Sequence, residues 1–273
     1  MATSSTATQT FSTLSLGDTQ FKTSRPHRFG IVIHGLADAD ETSTGADYLH
    51  EHLLSPELRE AFLEMIETEG LVVCKNVHSE HPTYRKVRGK SPTGKLSQAE
   101  YYHHDGCSCP TKPQVVEIRL PQQEVGREVA TAIAPFGDIV RAMLTALPEN
   151  LKSSPGLDPQ ISEALTAFSQ TPDQWPDPST WDKVQGRITR LIRREMDAEG
   201  SRAWFRQVDK LAEAYMFPWE MRESRLMLNN HSDLSRTFQH RRSMQKPKSE
   251  IAQNGSLVKR WTAEEYPGQP DAS

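Results

Sequence analysis

The feature that most limits how this chain can fold is the order of its secondary-structure patterns. Strand-like segments lie at both ends of the chain, and amphipathic helices lie between them. Apolar or alternating runs predict strands at 29–36, 71–77, 114–120 and 128–136. Strand-like runs return near the C-terminus as ESRLML, SRTFQHRR and GSLVKRWTA. This order predicts a sheet core closed by the N- and C-terminal halves, in which residues distant in sequence meet.

The helical signals are clear in two places. LSPELREAFLEMIETEG predicts a helix with Ser55 as its N-cap, Pro56 in its first turn and an end at Gly70. GDIVRAMLTALP predicts a second helix. From Ser179 onward, apolar residues recur at helical spacing with basic residues opposite, which predicts two more helices. We interpret these as an inserted cap on the β core.

Length and composition indicate one globular domain of about 250 residues or two small ones. The chain has 273 residues, of which 36% are hydrophobic and 25% charged. We expect a disordered tail at 1–28, a single domain at 29–262 with a helical insert at about 150–215, and a C-terminal tail at 263–273.

Charge and hydropathy limit which partners and which cellular compartment can be expected. A net charge of -4 gives no global attraction to nucleic acid, and no apolar run approaches the length of a membrane span. The three cysteines suit a reducing compartment. We therefore expect a cytoplasmic protein without nucleic-acid or membrane partners.

The segment EYYHHDGCSCPTKP contains the strongest candidate site. His103 and Asp105 are two residues apart, so in an extended strand both point to the same face, and His104 points away. An imidazole and a carboxylate, closed by a second imidazole, form the facial triad that binds iron(II) and leaves positions open. His240 is the preferred distal ligand because it ends a strand-like run. His231, in the turn-prone NNHSDL, is the rival.

Two other motifs are weaker. GKSPTGKL at 89–96 fits a phosphate-binding loop except at Leu96, where such a loop needs Ser or Thr, and no buried strand precedes it. Cys107-x-Cys109 could begin a zinc site, but its spacing is unusual and Cys74 is the remaining thiol. The first is more simply a basic loop, and the second a pair of small side chains.

The order of motifs resembles a known family. FGIVIHGL, LREAFLEMIETEGLVVCKNV, YYHHDG, VEIRLP, FPWEMRESRLMLNN, FQHRR and LVKRW follow one another as in the taurine dioxygenase-like iron(II)/2-oxoglutarate-dependent oxygenases. The resemblance covers about residues 29–262 apart from the helical middle. It implies an α+β fold with a mainly β core, a double-stranded β-helix (jelly roll, cupin-like) with flanking helices and a helical insert.

The resemblance also implies site residues. His103, Asp105 and His240 would ligate iron, and Arg260 would bind the far carboxylate of 2-oxoglutarate with the hydroxyl of Thr131 beside it. A guanidinium suits a carboxylate because it donates two parallel hydrogen bonds. Arg260 is farther from His240 than is usual in the family, so Arg242 and Arg241 remain alternative anchors.

The implied activity is oxidative, with Fe(II), 2-oxoglutarate and O2, and with release of succinate and CO2. Because related halogenases lack the carboxylate that Asp105 supplies, hydroxylation, desaturation or cyclisation is expected. The expected substrate is a small molecule, such as an amino-acid derivative or a natural-product intermediate. Two alternatives stay open: a non-catalytic β-core binding module that uses RTFQHRRSMQKPK as a basic patch, and a zinc-dependent hydrolase. The sequence leaves the oligomeric state undetermined.

Overall fold

The computed structural model describes residues 10–37, 56–75, 85–86, 101–104, 115–120, 129–171, 180–218, 224–229, 237–244 and 257–261. Its strands form one eight-stranded and one three-stranded sheet. The strands are β1 (Phe11–Leu16), β2 (Thr19–Ser24), β3 (Ile31–Leu36), β4 (Leu71–Lys75), β5 (Arg85–Lys86), β6 (Val115–Leu120), β7 (Val129–Pro135), β8 (Tyr215–Pro218), β9 (Ser224–Asn229), β10 (Phe238–Met244) and β11 (Leu257–Trp261).

The two halves of the chain interleave in the large sheet, as the sequence predicts. Its order is β1-β2-β3-β4-β9-β6-β11-β5, so β9 lies between β4 and β6, and β11 lies between β6 and β5. The pairing of β3 with β4 is parallel and the other pairings are antiparallel. The small sheet has the order β10-β7-β8 and is antiparallel throughout.

The helices include each of those predicted. No helix among the described residues is both long and apolar enough to cross a membrane. The first helix ends where its sequence indicates, because Gly70 follows it with a φ of +71°, a backbone conformation that favours glycine. The helices are α1 (Pro56–Glu69), α2 (Phe136–Thr145), α3 (Glu149–Lys152), α4 (Pro159–Gln170), α5 (Trp181–Glu195) and α6 (Ala198–Leu211).

Three apolar clusters separate four layers. Phe62 and Ile66 of α1 pack on one face of the large sheet, against residues such as Val72. Val116 of the large sheet packs with Ile133 of the small sheet in a second cluster between the two sheets. The third cluster joins the other face of the small sheet to the helices α2 to α6. The fold is therefore a mixed α+β fold with a β-sheet core between helical layers.

The N-terminal segment differs from the expected disordered tail. Residues 10–28 are ordered by a hairpin of β1 and β2, in which Leu16 and Thr19 pair across the two residues Gly17 and Asp18. The hairpin extends the large sheet through β3, and Leu16 and Phe21 are buried in the cluster under α1. Burial of these two apolar side chains offsets the polarity of a Ser/Thr-rich segment.

The helical segment between β7 and β8 contains two helices in addition to those predicted from the sequence. The two helices predicted from Ser179 onward are confirmed as α5 and α6, and α3 and α4 precede them. The contacts of α2 with α5 and α6 build this layer on the outer face of the small sheet.

Candidate functional site

His103 and His240 lie opposite each other on two antiparallel segments. They form an isolated bridge in which the His103 N–H donates to the His240 carbonyl at 3.2 Å and the His240 N–H donates to the His103 carbonyl at 3.3 Å. Cross-strand partners project to the same face. Their rings lie 4.5 Å apart between centroids, with an angle of 52° between planes. Two histidines separated by more than a hundred residues in sequence therefore stand side by side.

The tautomer of His103 follows from its hydrogen bond. Its Nδ1 lies 2.8 Å from the Tyr101 carbonyl oxygen, which can only accept. Nδ1 therefore carries the proton, and in the neutral ring the lone pair is on Nε2. A ring held in this way by a backbone carbonyl is typical of metal-binding histidines. The donor chemistry of His103 thus fits a divalent iron ligand.

The two histidines occupy the face of the small sheet that looks toward the large sheet. In the register of β10 and β7, His240 is opposite Ile133, which packs in the cluster between the sheets. Both histidines are half-buried, whereas Tyr102, His104 and the neighbours of His240 are buried. The two histidines are therefore partly exposed, unlike the residues on either side of them.

The residues predicted to bind 2-oxoglutarate lie on strands of both sheets. Thr131 is buried in β7, and its register partner in β10 is Arg242. Arg260 lies in β11 of the other sheet, in register with Val116 of the cluster between the sheets. The strands that carry these positions therefore belong to the two sheets that face each other across the cluster of Val116 and Ile133.

Several predicted residues lie outside the described residues: Asp105, His231, Cys107, Cys109 and the motif at 89–96. Within the described part of the chain, no group of three His, Cys, Asp or Glu side chains is arranged to hold a metal ion. Of the predicted triad, the described residues include the two histidines, His103 and His240.

Arg241 is excluded as an anchor for 2-oxoglutarate, because it points to the opposite face. Its Nε donates to Asp209 Oδ1 of α6 at 2.8 Å, and its Nη2 donates to Oδ2 of the same carboxylate. The Tyr102 hydroxyl also donates to Asp209 Oδ1, at 2.7 Å. Arg241 and Asp209 are 3% and 8% exposed, so this is a buried ion pair closed by a tyrosine.

The electrostatics of this group fix its protonation. Burial, reinforced by the charge of Asp209, raises the pKa of the Tyr102 hydroxyl well above its ordinary value. Burial alone would lower the pKa of Arg241, but its hydrogen bonds to Asp209 and the charge of that carboxylate outweigh burial and raise it. Tyr102 is therefore neutral and Arg241 charged at any physiological pH.

His104 also turns away from the site, as strand alternation predicts. Its Nε2 lies 2.9 Å from Thr237 Oγ1, and its Nδ1 lies 3.1 Å from Gln239 Nε2. Gln239 in turn exchanges two amide hydrogen bonds with Gln185 of α5, at 2.5 and 3.0 Å. The Gln185 amide also donates to the Tyr102 carbonyl at 3.4 Å. A second buried polar network thus joins the two strands to the helices.

Asp209 and Gln185 were not predicted from the sequence, although both leave a signal in it. Asp209 follows Phe205 by four residues and adjoins Val208, so it is a charge on the apolar face of α6. Gln185 has the same relation to Trp181 on α5. A polar residue on an apolar helix face must find a buried partner, and this requirement identifies both positions.

The cavity between α4 and α5 is a separate feature. It has a volume of about 180 Å³ and is lined by residues such as Glu163, Ala167 and Lys183. None of the predicted site residues lines it, and it belongs to the helical layer rather than to the space between the sheets.

Comparison with known proteins gives structural likenesses alone. No protein-family model and no curated protein matches the chain. The fold is similar to AAD-2 in complex with Mn(II) and N-oxalylglycine, with 12% identity and a TM-score of 0.38 over 92% of this chain and 97% of the other. It is also similar to PvcB, an Fe, α-ketoglutarate dependent oxygenase from an isonitrile synthetic pathway, with 12% identity and a TM-score of 0.41 over 96% and 94% of the two chains.

A third likeness is to a variant of the non-heme iron oxygenase OrfP in complex with (3S)-hydroxy-L-Arg, with 10% identity and a TM-score of 0.32 over 82% and 88% of the two chains. The structures that this chain resembles are thus named as iron and α-ketoglutarate dependent oxygenases, or as complexes with a metal or substrate. At this level of likeness, the function has to be argued from the chain's own residues.

Proposed function

We propose that this protein is an iron(II)/2-oxoglutarate-dependent oxygenase acting on a small molecule. The observation that carries the proposal is the pairing of His103 with His240, whose rings lie 4.5 Å apart on the face of the small sheet that looks toward the large sheet. Two imidazoles on adjacent strands, with a carboxylate two residues from the first, form the 2-His-1-carboxylate set that suits iron(II). Asp105 is proposed as that carboxylate.

The bound iron would supply activation of O2, with one oxygen atom entering succinate as 2-oxoglutarate loses CO2 and the other entering the substrate in hydroxylation or leaving as water in desaturation or cyclisation. The protein's part is to hold the ligands on one side and to orient 2-oxoglutarate. The Tyr101 carbonyl keeps His103 in the tautomer that presents Nε2. The proposed anchor for the far carboxylate is Arg260, with Thr131 beside it and Arg242 as the alternative.

The proposal extends to the fold and to the outcome of the reaction. We propose that the two sheets, whose facing surfaces share the cluster of Val116 and Ile133, are the halves of a double-stranded β-helix. With Asp105 as a ligand, the expected reaction is hydroxylation, desaturation or cyclisation. A carboxylate-bearing amino-acid derivative or natural-product intermediate is the proposed substrate class.

Anaerobic titration tests the proposal. We expect a weak visible charge-transfer band when the apo protein receives both Fe(II) and 2-oxoglutarate, because the keto acid would chelate the metal through its 1-carboxylate and keto oxygen. Succinate cannot form this chelate and serves as the matched control. No band in folded wild-type protein would overturn the proposal. Catalysis that is supported by Zn(II) alone would favour the hydrolase instead.

The same band identifies the anchoring arginine. We expect Arg260→Gln to weaken 2-oxoglutarate binding by about 10- to 100-fold, because a two-point bond to a carboxylate is lost. Arg242→Gln is the matched variant and is expected to stay within about threefold of wild type. The reverse result would assign the anchor to Arg242, and equal binding in both variants would contradict either assignment.

A further inference from the structure

The residues on either side of each histidine all turn toward the helices. Tyr102 and His104 flank His103, and Gln239 and Arg241 flank His240. All four flanking side chains are buried, and all four make polar contacts on that side. The face opposite the histidines is therefore held by hydrogen bonds rather than by apolar packing alone.

Asp209 joins the two strands directly. One carboxylate accepts hydrogen bonds from Tyr102, which precedes His103, and from Arg241, which follows His240. Asp209 is carried by α6, whose Trp204, Phe205 and Val208 are buried in the helical core. The position of this carboxylate is therefore fixed by the helix, and it fixes both strands in turn.

Gln185 joins the same strands from α5. Its amide donates to the Tyr102 carbonyl, which can only accept, and this fixes which way the amide points. Gln185 Nε2 then donates to Gln239 Oε1, so Gln239 Nε2 faces His104 Nδ1 and donates to it. His104 consequently carries its proton on Nε2 and donates to Thr237 Oγ1. The network has one consistent set of donors from helix to strand.

The direct link between the two histidine segments is weak by comparison. Among the described residues they share one isolated bridge, whose two hydrogen bonds are 3.2 and 3.3 Å long. A ladder of several pairs would set the register of two strands by itself. Here the bonds from α5 and α6 supply the additional constraint.

We propose that Asp209 and Gln185 are positioning residues for the metal site, which hold His103 and His240 at the separation that one cation requires. The inference rests on the proposed function and goes beyond it by giving the helical segment a role in metal binding. Hydrogen-bond partners behind metal ligands typically change metal affinity by about 10- to 100-fold when removed. These partners act on the neighbours of the ligands rather than on the ligands themselves.

The test is anaerobic titration with Co(II), whose visible absorption reports ligand geometry as well as affinity. We expect Asp209→Asn to weaken Co(II) binding by about 10-fold or more and to shift the absorption band. Asp158→Asn is the matched control, because Asp158 pairs with Arg187 of α5 but contacts neither histidine strand. Asn is also a good N-cap, so α4 keeps its start. The control is expected to bind Co(II) like the wild type.

Two further variants keep the test decisive if Asp209→Asn does not fold. Replacement of the whole buried group by apolar residues, in Asp209→Leu with Arg241→Met and Tyr102→Phe, leaves no unpaired charge and is often tolerated. Gln185→Met tests the same role without any change in charge. We expect both to fold, as judged by circular dichroism, and to show the same band shift with weaker Co(II) binding.

The outcomes separate the two proposals. If the wild type binds Co(II) and the folded Asp209 and Gln185 variants match it in affinity and spectrum, the positioning role is overturned and the metal site stands. The positioning role is also overturned if Asp158→Asn is weakened as much as Asp209→Asn. If the wild type itself binds no Co(II), the proposed metal site fails, and the positioning role fails with it.

Discussion

Replacing His240 with alanine is expected to weaken Fe(II) binding by at least about 100-fold and to abolish the charge-transfer band. His103→Ala is expected to do the same. The reason is that each variant removes one of the three proposed protein ligands, and even partners behind a ligand are worth about 10- to 100-fold. Anaerobic titration with Fe(II) and 2-oxoglutarate measures the loss, and circular dichroism shows whether each variant is folded.

Two further histidines serve as controls for this experiment. His34 lies in β3, where its Nε2 bonds to Ser24 Oγ at 2.8 Å, and His34→Ala is expected to bind Fe(II) like the wild type. His231→Ala tests the rival ligand and is also expected to keep the band. If His231→Ala loses the band and His240→Ala keeps it, then His231 is the ligand and our assignment of His240 is wrong.

The buried strands and the interleaving of the two halves could be predicted from the sequence. The runs at 71–77 and 114–120 are apolar or alternate with a period of two, and strands form at Leu71–Lys75 and Val115–Leu120. Their pairing partner β9 comes from the other end of the chain, as the order of elements requires. Such patterns predict strands reliably because a one-residue shift in register would move every apolar side chain to the wrong face of the sheet.

The N-terminal hairpin was not predicted, because the high Ser/Thr content of residues 1–28 was given more weight than their strand-turn-strand pattern. FSTLSLGDTQFKTS contains a two-residue Gly-Asp turn between alternating segments, which is a hairpin signal. Gly17 has a φ of +58°, as such a turn requires. Ser and Thr favour disorder in a tail, but Thr is also a good strand residue once an adjacent strand is available.

His103 and His240 were predicted from the sequence, whereas the buried hydrogen bonds of the residues that flank them were not. Strand alternation alone predicts that His104 faces away from His103. It cannot predict what His104 meets there, since Thr237 and Gln239 lie more than 130 residues away in sequence. Alternation also excludes Arg241 as an anchor once His240 is fixed, because neighbouring residues in a strand face opposite sides.

Gly70→Ala is expected to lower the free energy of unfolding by about 2–5 kcal/mol, from two effects. Gly70 has a φ of +71°, which costs an L residue about 1–2 kcal/mol. A Cβ at this position would also lie 1.8 Å from the ring of Phe238, two residues before His240 in β10. The ring is packed edge-on against Phe29, so relief of the clash must displace the strand that carries His240.

Gly186→Ala is the matched control, because Gly186 lies within α5 and a Cβ there would meet nothing within 4 Å. Alanine in a helix interior is expected to raise stability by about 0.5–1 kcal/mol. Urea unfolding monitored by circular dichroism measures both variants. If Gly70→Ala were as stable as the wild type, the close approach of Phe238 to the end of α1 would be wrong. If it were destabilised but bound Fe(II) normally, the position of His240 would not depend on that contact.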